Sequence, residues 1–209
     1  MAVAGPIDLW AGRFPDDQLA QLIRLVLDSW SVFHLPEKRL EVPLTRHFCA
    51  HLRNNKDRSI HIFRIDWESS EITSDGLESG RIDLKFSPGL DERVYLSFEC
   101  KRLRVQFPKG FDTLAREYVT EGMYRYFNGQ YANDLDKGGM LGYVMDGKTD
   151  QAIEDVRKAI ESRRPDLYMA HDETLRPSPV ISSPQVEETL HNYGLENRFT
   201  VYHIFLPLH

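Results

Sequence analysis

The stretch 94-VYLSFECKRLRV-105 constrains the fold more than any other in this chain. Side chains alternate across a strand, so Val94, Leu96, Phe98 and Cys100 share one face while Tyr95, Ser97, Glu99 and Lys101 share the other. The first face belongs against a core. The second sets a carboxylate and an ammonium two residues apart in mid-strand, where the apolar pattern gives no reason to expect either. The segment 80-GRIDLKF-86 repeats the arrangement, with Ile82, Leu84 and Phe86 on one side and Arg81, Asp83 and Lys85 on the other. With SPGLDE as the turn, residues 80 to 105 fold back as an antiparallel hairpin. Asp83 then comes near Glu99 and Lys101 on one face, with Ile82, Leu84, Phe98 and Cys100 on the opposite face; a one-residue slip would send the charges into the core.

The rest of the chain supplies what surrounds this hairpin. In 16-DDQLAQLIRLVLDSW-30 the apolar positions Leu19, Leu22, Ile23, Val26 and Leu27 follow a helical stripe, with Asp16 or Asp17 available as a cap. A second helix begins near Pro43, runs through Leu44, Phe48 and Leu52 and ends near Asn54 and Asn55, with Glu41 at its entrance. The segment 60-IHIFRIDW-67 completes a three-strand antiparallel meander. A helix follows from Asp112 to about Tyr131, Gly138 and Gly139 end it, and 140-MLGYVMD-146 reads as a buried strand. A further amphipathic helix covers residues 149–164, 176-RPSPVISSP-184 reads as a loop, and 199-FTVYHIFL-206 as a closing strand. The expected architecture is α/β, a mixed sheet flanked by helices.

At 209 residues the chain has room for one sizeable core, and we expect a single domain over 1–209. Within it, 1–36 forms an N-terminal helical extension, 40–146 the core and 147–209 a C-terminal helix, loop and strand. Apolar residues make up 41% and charged residues 28%, outside the disordered regime. No membrane span or secretory signal is visible. Cys49 and Cys100 both read as reduced core residues, so a cytoplasmic location is expected. A net charge of −6 argues against coating nucleic acid by bulk electrostatics and leaves a local basic patch open.

A carboxylate pair is the donor set that a hard divalent cation takes while keeping several of its waters. An adjacent ammonium can orient the attacking water and offset charge developing on a phosphate. Asp83, followed after fifteen residues by 99-ECK-101, resembles the core motif of the PD-(D/E)xK nuclease superfamily, the restriction-endonuclease-like fold. The expected element order from Glu41 to 146 resembles that family's αβββαβ core. The resemblance implies metal-dependent hydrolysis of DNA phosphodiesters with Mg²⁺ or Mn²⁺, in defence or repair. It assigns Asp83 and Glu99 as metal ligands and Lys101 as the base or stabiliser at the attacking water. It also gives Glu41 as the acid of the first core helix, a further ligand and catalytic group. The chain departs from the motif at Ile82, where the name places Pro, and in the position of Glu41 at the very start of its helix.

Nucleic-acid contacts are expected from Arg102 and Arg104, which continue the ExK strand, and from Arg125 and Gln130 in the following helix. For Arg125 the competing reading is an i,i+4 pair with Glu121. Between Cys100 and Lys137 seven basic residues stand against five acidic ones, a weak phosphate-facing bias. His47 and His51 form an HxxxH pair without the glutamate of HExxH, and Gly138, Gly139 and Gly142 form no nucleotide-binding fingerprint. Too little chain lies outside the core for a familiar target-recognition domain, so a protein partner, a homodimer or low sequence specificity is expected. The alternatives are a catalytically silent nuclease-like module that binds nucleic acid or protein, and an interaction domain in which these charges are only surface ion pairs.

Overall fold

The computed structural model describes residues 14–57, 59–61, 63–72, 76, 78–89, 94–128, 135–192 and 198–209. Two helices, α1 (Asp16–Ser31) and α2 (Glu41–Asn55), lead into the antiparallel strands β1 (Arg64–Ile72), β2 (Glu78–Ser87) and β3 (Leu96–Leu103). A small hairpin, β4 (Val105–Phe107) and β5 (Gly110–Asp112), precedes the short α3 (Ala115–Glu117), which widens into a π-helical turn at Tyr118–Gly122 and tightens into a 3₁₀ turn at Met123–Tyr126. Then come β6 (Lys137–Val144), α4 (Thr149–Ser162), β7 (Arg176–Pro177), β8 (Val186–Asn192) and β9 (Arg198–Pro207). The seven-stranded sheet has the order β1-β2-β3-β6-β9-β8-β7, antiparallel at both flanks and parallel at its centre, where β3 pairs β6 and β6 pairs β9.

The chain is thus an α/β protein with a mixed sheet and, among the described residues, four α-helices, as the element pattern predicts. One face of the sheet packs against α1 and α2 through Leu84, Phe86, Leu96, Phe98, Leu141, Tyr143 and Ile204. The other packs against the α3 segment and α4 through Met140, Val144, Val201 and Phe205. The α1 helix belongs to the first layer and is no appendage: Leu22, Ile23 and Val26 are fully buried, and Trp30 Nε1 donates to Pro207 O at 2.7 Å. Asp16 and Asp17 sit inside its first turn, where the helix dipole favours anions, while Pro15 holds the cap position.

Three differences from the sequence expectation bear on the site. The β2–β3 ladder is short: Leu84 pairs Phe98, Lys85 pairs Ser97 and Phe86 pairs Leu96, and there the recorded pairing stops. Ile82 joins the opposite core layer from Leu84 and Phe86, so the alternation expected through Asp83 is broken. Glu68, which the β1–β2 register sets across from Asp83, has a left-handed φ of 48° and is skipped between the pairs Trp67–Leu84 and Ser69–Ile82. A non-glycine residue in that region distorts a strand locally. Beyond Leu84, β2 therefore parts from β3 and opens a fork between them.

The glycines of β6 have a packing role rather than a helix-ending one. A Cβ on Gly139 would lie 2.1 Å from the Phe98 ring, so the bare backbone lets that ring lie flat on the neighbouring strand. The Tyr126 hydroxyl is within hydrogen-bond distance of Ser97 O (2.9 Å) and Gly139 O (2.8 Å), tying the end of the α3 segment to both central strands. No helix among the described residues is long and apolar enough to cross a membrane.

Candidate active site

Five charged side chains gather at the fork. Asp83 is the last residue of β2 before the strands close together, and its Oδ2 accepts the Cys100 N–H at 2.7 Å. Glu99, fully buried on β3, accepts Arg125 Nη1 at 2.9 Å and stands 4.0 Å from Lys101 Nζ. Lys101 Nζ donates to Glu41 Oε1 at 3.0 Å, and the backbone N–H of Arg102 donates to Glu41 Oε2 at 3.3 Å. Lys101 is enclosed, its side chain 12% exposed, whereas Glu41 and Arg125 at the rim are about a third exposed. The Lys101 ammonium is within electrostatic reach of Glu41, Glu99 and Asp83 at once.

Each residue is placed by a local device. Glu99 and Lys101 share a face by strand alternation, as predicted from 94-VYLSFECKRLRV-105. Glu41 is the first residue of α2, and the packing of Leu44 and Phe48 on the sheet brings that helix start to the mouth of the fork. Arg125 reaches Glu99 because the π-helical and 3₁₀ turns change the rotation along 118–126. The α-helical pair with Glu121 does not form, and the guanidinium turns inward to β3. Gly122 allows this close approach: a Cβ there would lie 2.6 Å from Met140 Cε and 3.3 Å from Lys101 Cγ.

Burial dominates the electrostatics. Desolvation raises the Asp83 carboxyl above its ordinary value, with the Cys100 N–H and Lys101 working against the rise and Glu41 adding to it. For Lys101, burial favours loss of the proton, but Glu41, Glu99 and Asp83 together outweigh it and hold the amine above its ordinary value. Lys101 is therefore an ammonium at neutral pH in this arrangement, suited to donating hydrogen bonds and placing positive charge. Two desolvated carboxylates fit a hard divalent cation: both offer oxygen donors, and a cation between them would offset the cost of their burial. Among the described residues no three Asp, Glu, His or Cys side chains form a preassembled cage. Glu41 stands instead as the hydrogen-bonded partner of Lys101.

The residues expected to contact nucleic acid fall in different places. Arg125 is at the site, engaged with Glu99. Arg102 is at its rim and donates through Nη1 to Arg39 O at 3.4 Å, holding the loop ahead of α2. Arg104 is elsewhere: it is buried, with φ 56°, and its guanidinium is held by Asp146 at 3.0 Å, Gln151 Oε1 at 2.7 Å and Asp155, with the Phe111 ring 5.0 Å away. A phosphate would have to displace all of these partners, so Arg104 is placed as the anchor between the β4–β5 hairpin and α4. Gln130 lies outside the described residues. His51 serves the fold, with Nε2 3.1 Å from Ser29 O. Neither Gly122 nor the Cys100 amide carries a motif in the sequence, and only the glycine between bulky residues in 121-EGMY-124 hints at a close approach.

Compared with models of known protein families, with curated proteins and with solved structures, the chain gives no match.

Proposed function

We propose that this protein is a metal-dependent nuclease of the PD-(D/E)xK type that hydrolyses phosphodiester bonds of DNA. The observation that carries this reading is the gathering of Asp83, Glu99, Lys101 and Glu41 where β2 parts from β3. An antiparallel pair of strands on a solvated surface has no reason to separate at its charged residues, and a surface ion pair has no reason to be enclosed. When bound, Mg²⁺ or Mn²⁺ would supply charge neutralisation at the phosphate and a lowered pKa for water.

Asp83 and Glu99 would hold the ion. The Cys100 N–H fixes the Asp83 carboxylate, leaving its second oxygen as a donor. Lys101 acts as a charge and hydrogen-bond donor toward the attacking water and the phosphate oxygens, and Glu41 positions its ammonium from the start of α2 at the mouth of the fork. Arg125 neutralises Glu99 in this arrangement, and with an ion held by Asp83 and Glu99 its guanidinium would meet a phosphate oxygen of the strand. Free, buried Cys49 and Cys100 suit a reducing compartment such as the cytoplasm.

The ion pairs that close Glu99 in this arrangement also favour a second reading, a silent nuclease-like module that binds nucleic acid without cutting. Incubation of the purified protein with supercoiled plasmid and with single-stranded DNA, in Mg²⁺, Mn²⁺ or EDTA, separates the two. Metal-dependent cutting that disappears with Glu99→Gln supports the nuclease; binding without cutting under either metal supports the silent module.

A further inference from the structure

Away from the fork, the outer side of the α3 segment forms a cleft of about 430 Å³. Arg116, Val119, Thr120 and Tyr124 form one wall, and the 3₁₀ turn at Arg164–Leu167, with Arg163 ahead of it, forms the other through Arg163, Asp166 and Leu167. Leu167 and Val119 make an apolar floor, and the Tyr124 ring, 39% exposed, is open at the side. The Arg116 guanidinium has no hydrogen-bond or ion-pair partner among the described residues. Among the described residues the Arg163 side chain is held by Asp166 alone, through an exposed contact at 3.2 Å. The π-helical turn builds this wall, and wide turns of that kind recur where a helix has been reshaped for a ligand.

We infer that this cleft binds one nucleotide unit, its base against Tyr124 and its phosphate between Arg116 and Arg163. The volume suits a ligand of that size, and a flat ring, an apolar floor and two guanidiniums are the parts that base stacking and phosphate binding use. The nucleotide is either free or part of a strand. The site stands apart from the carboxylates and needs no metal, so it does not depend on the nuclease reading.

The test is titration in EDTA, following a fluorescent oligo-dT strand by anisotropy and competing it with dTMP or inorganic phosphate. Arg116→Ala and Tyr124→Leu should each weaken dTMP binding by about tenfold, the order expected for one phosphate contact or one stacked base. Asp166→Asn should strengthen it severalfold by releasing Arg163, a gain that a damaged fold would not produce. A strand held more tightly than dTMP identifies a strand as the ligand, and equal affinity identifies the free mononucleotide. Unchanged dTMP affinity in both Arg116→Ala and Tyr124→Leu, or phosphate competing as well as dTMP, overturns the inference. Failure of plasmid cleavage with dTMP still bound would count against the nuclease alone, and cleavage without dTMP binding would count against the cleft alone.

Discussion

Lys101 is the residue at which the proposed chemistry is most exposed to test. Asp83→Asn and Glu99→Gln should abolish plasmid cleavage while leaving DNA binding intact, measured by gel assay and anisotropy. Lys101→Ala should lower the rate by roughly 10² to 10³, the cost of losing one charged hydrogen-bond donor, with an unchanged circular dichroism spectrum. Because the three surrounding carboxylates keep this amine charged, Lys101→Arg should retain more cleavage than Lys101→Ala; a side chain needed to accept a proton would show no such rescue. Arg125→Ala should weaken DNA binding and flatten its salt dependence, as one phosphate contact is lost. At this scale the sequence was readable wherever strand alternation decides orientation, as for Glu99 and Lys101. It was unreadable for Arg125, since the i,i+4 rule assumes an α-helix, and nothing in 118-YVTEGMYRY-126 announces that the helix widens and then tightens.

Helices and strands with a strong period, such as α1, α2, α4 and β9, lie close to their expected bounds. The strand β8 was missed because Val186, Glu187, Glu188 and Thr189 are all buried, so its pattern neither alternates nor looks apolar. The hairpin β4–β5 was missed because its strands of three residues are too short for a period to show. The change of face at Ile82 escaped prediction because strand alternation groups it with Leu84 and Phe86; it falls beside the left-handed Glu68 of the neighbouring strand. Among the elements β6 offers the cleanest stability test. Gly139→Ala would drive a methyl group into the Phe98 ring and should cost about 1–3 kcal/mol in urea unfolding, as overpacked cores do. Gly89→Ala, with open space around it, should cost far less.

At the scale of the whole molecule, a buried source of acid sensitivity lies on the side of the sheet away from α1 and α2. There Tyr118 Oη lies 3.0 Å from His203 Nδ1, His203 Nε2 lies 3.0 Å from Thr189 Oγ1, and His191 links Thr189 to Leu167 O, all of these side chains buried. Burial lowers His191 from 6.5 to about 4, against the pull of the Leu167 carbonyl, and lowers His203 from 6.5 to about 3, with His191 adding to the effect. Both rings are neutral in the fold, while the unfolded chain takes up protons below 6.5. The stability tied to their neutrality is therefore complete above pH 6.5 and is lost as the pH falls toward 4 and then 3. Asp83 and Glu187, raised by burial, act in the opposite sense, but their shifts are smaller. Urea midpoints should fall steeply between pH 6.5 and 5, and His203→Gln should make that slope shallower.

The parting of β2 from β3 also sets an order of events on the ribosome. Lys101 meets Glu41 from sixty positions away, Glu99 meets Arg125 from twenty-six, and β3 acquires its second neighbour only when Lys137–Val144 has been made. Contacts that close such long loops form late. A nascent chain thus carries the five charged groups of the fork for much of translation as scattered, solvated side chains. Any cutting power they have together is withheld until the central parallel strands are in place.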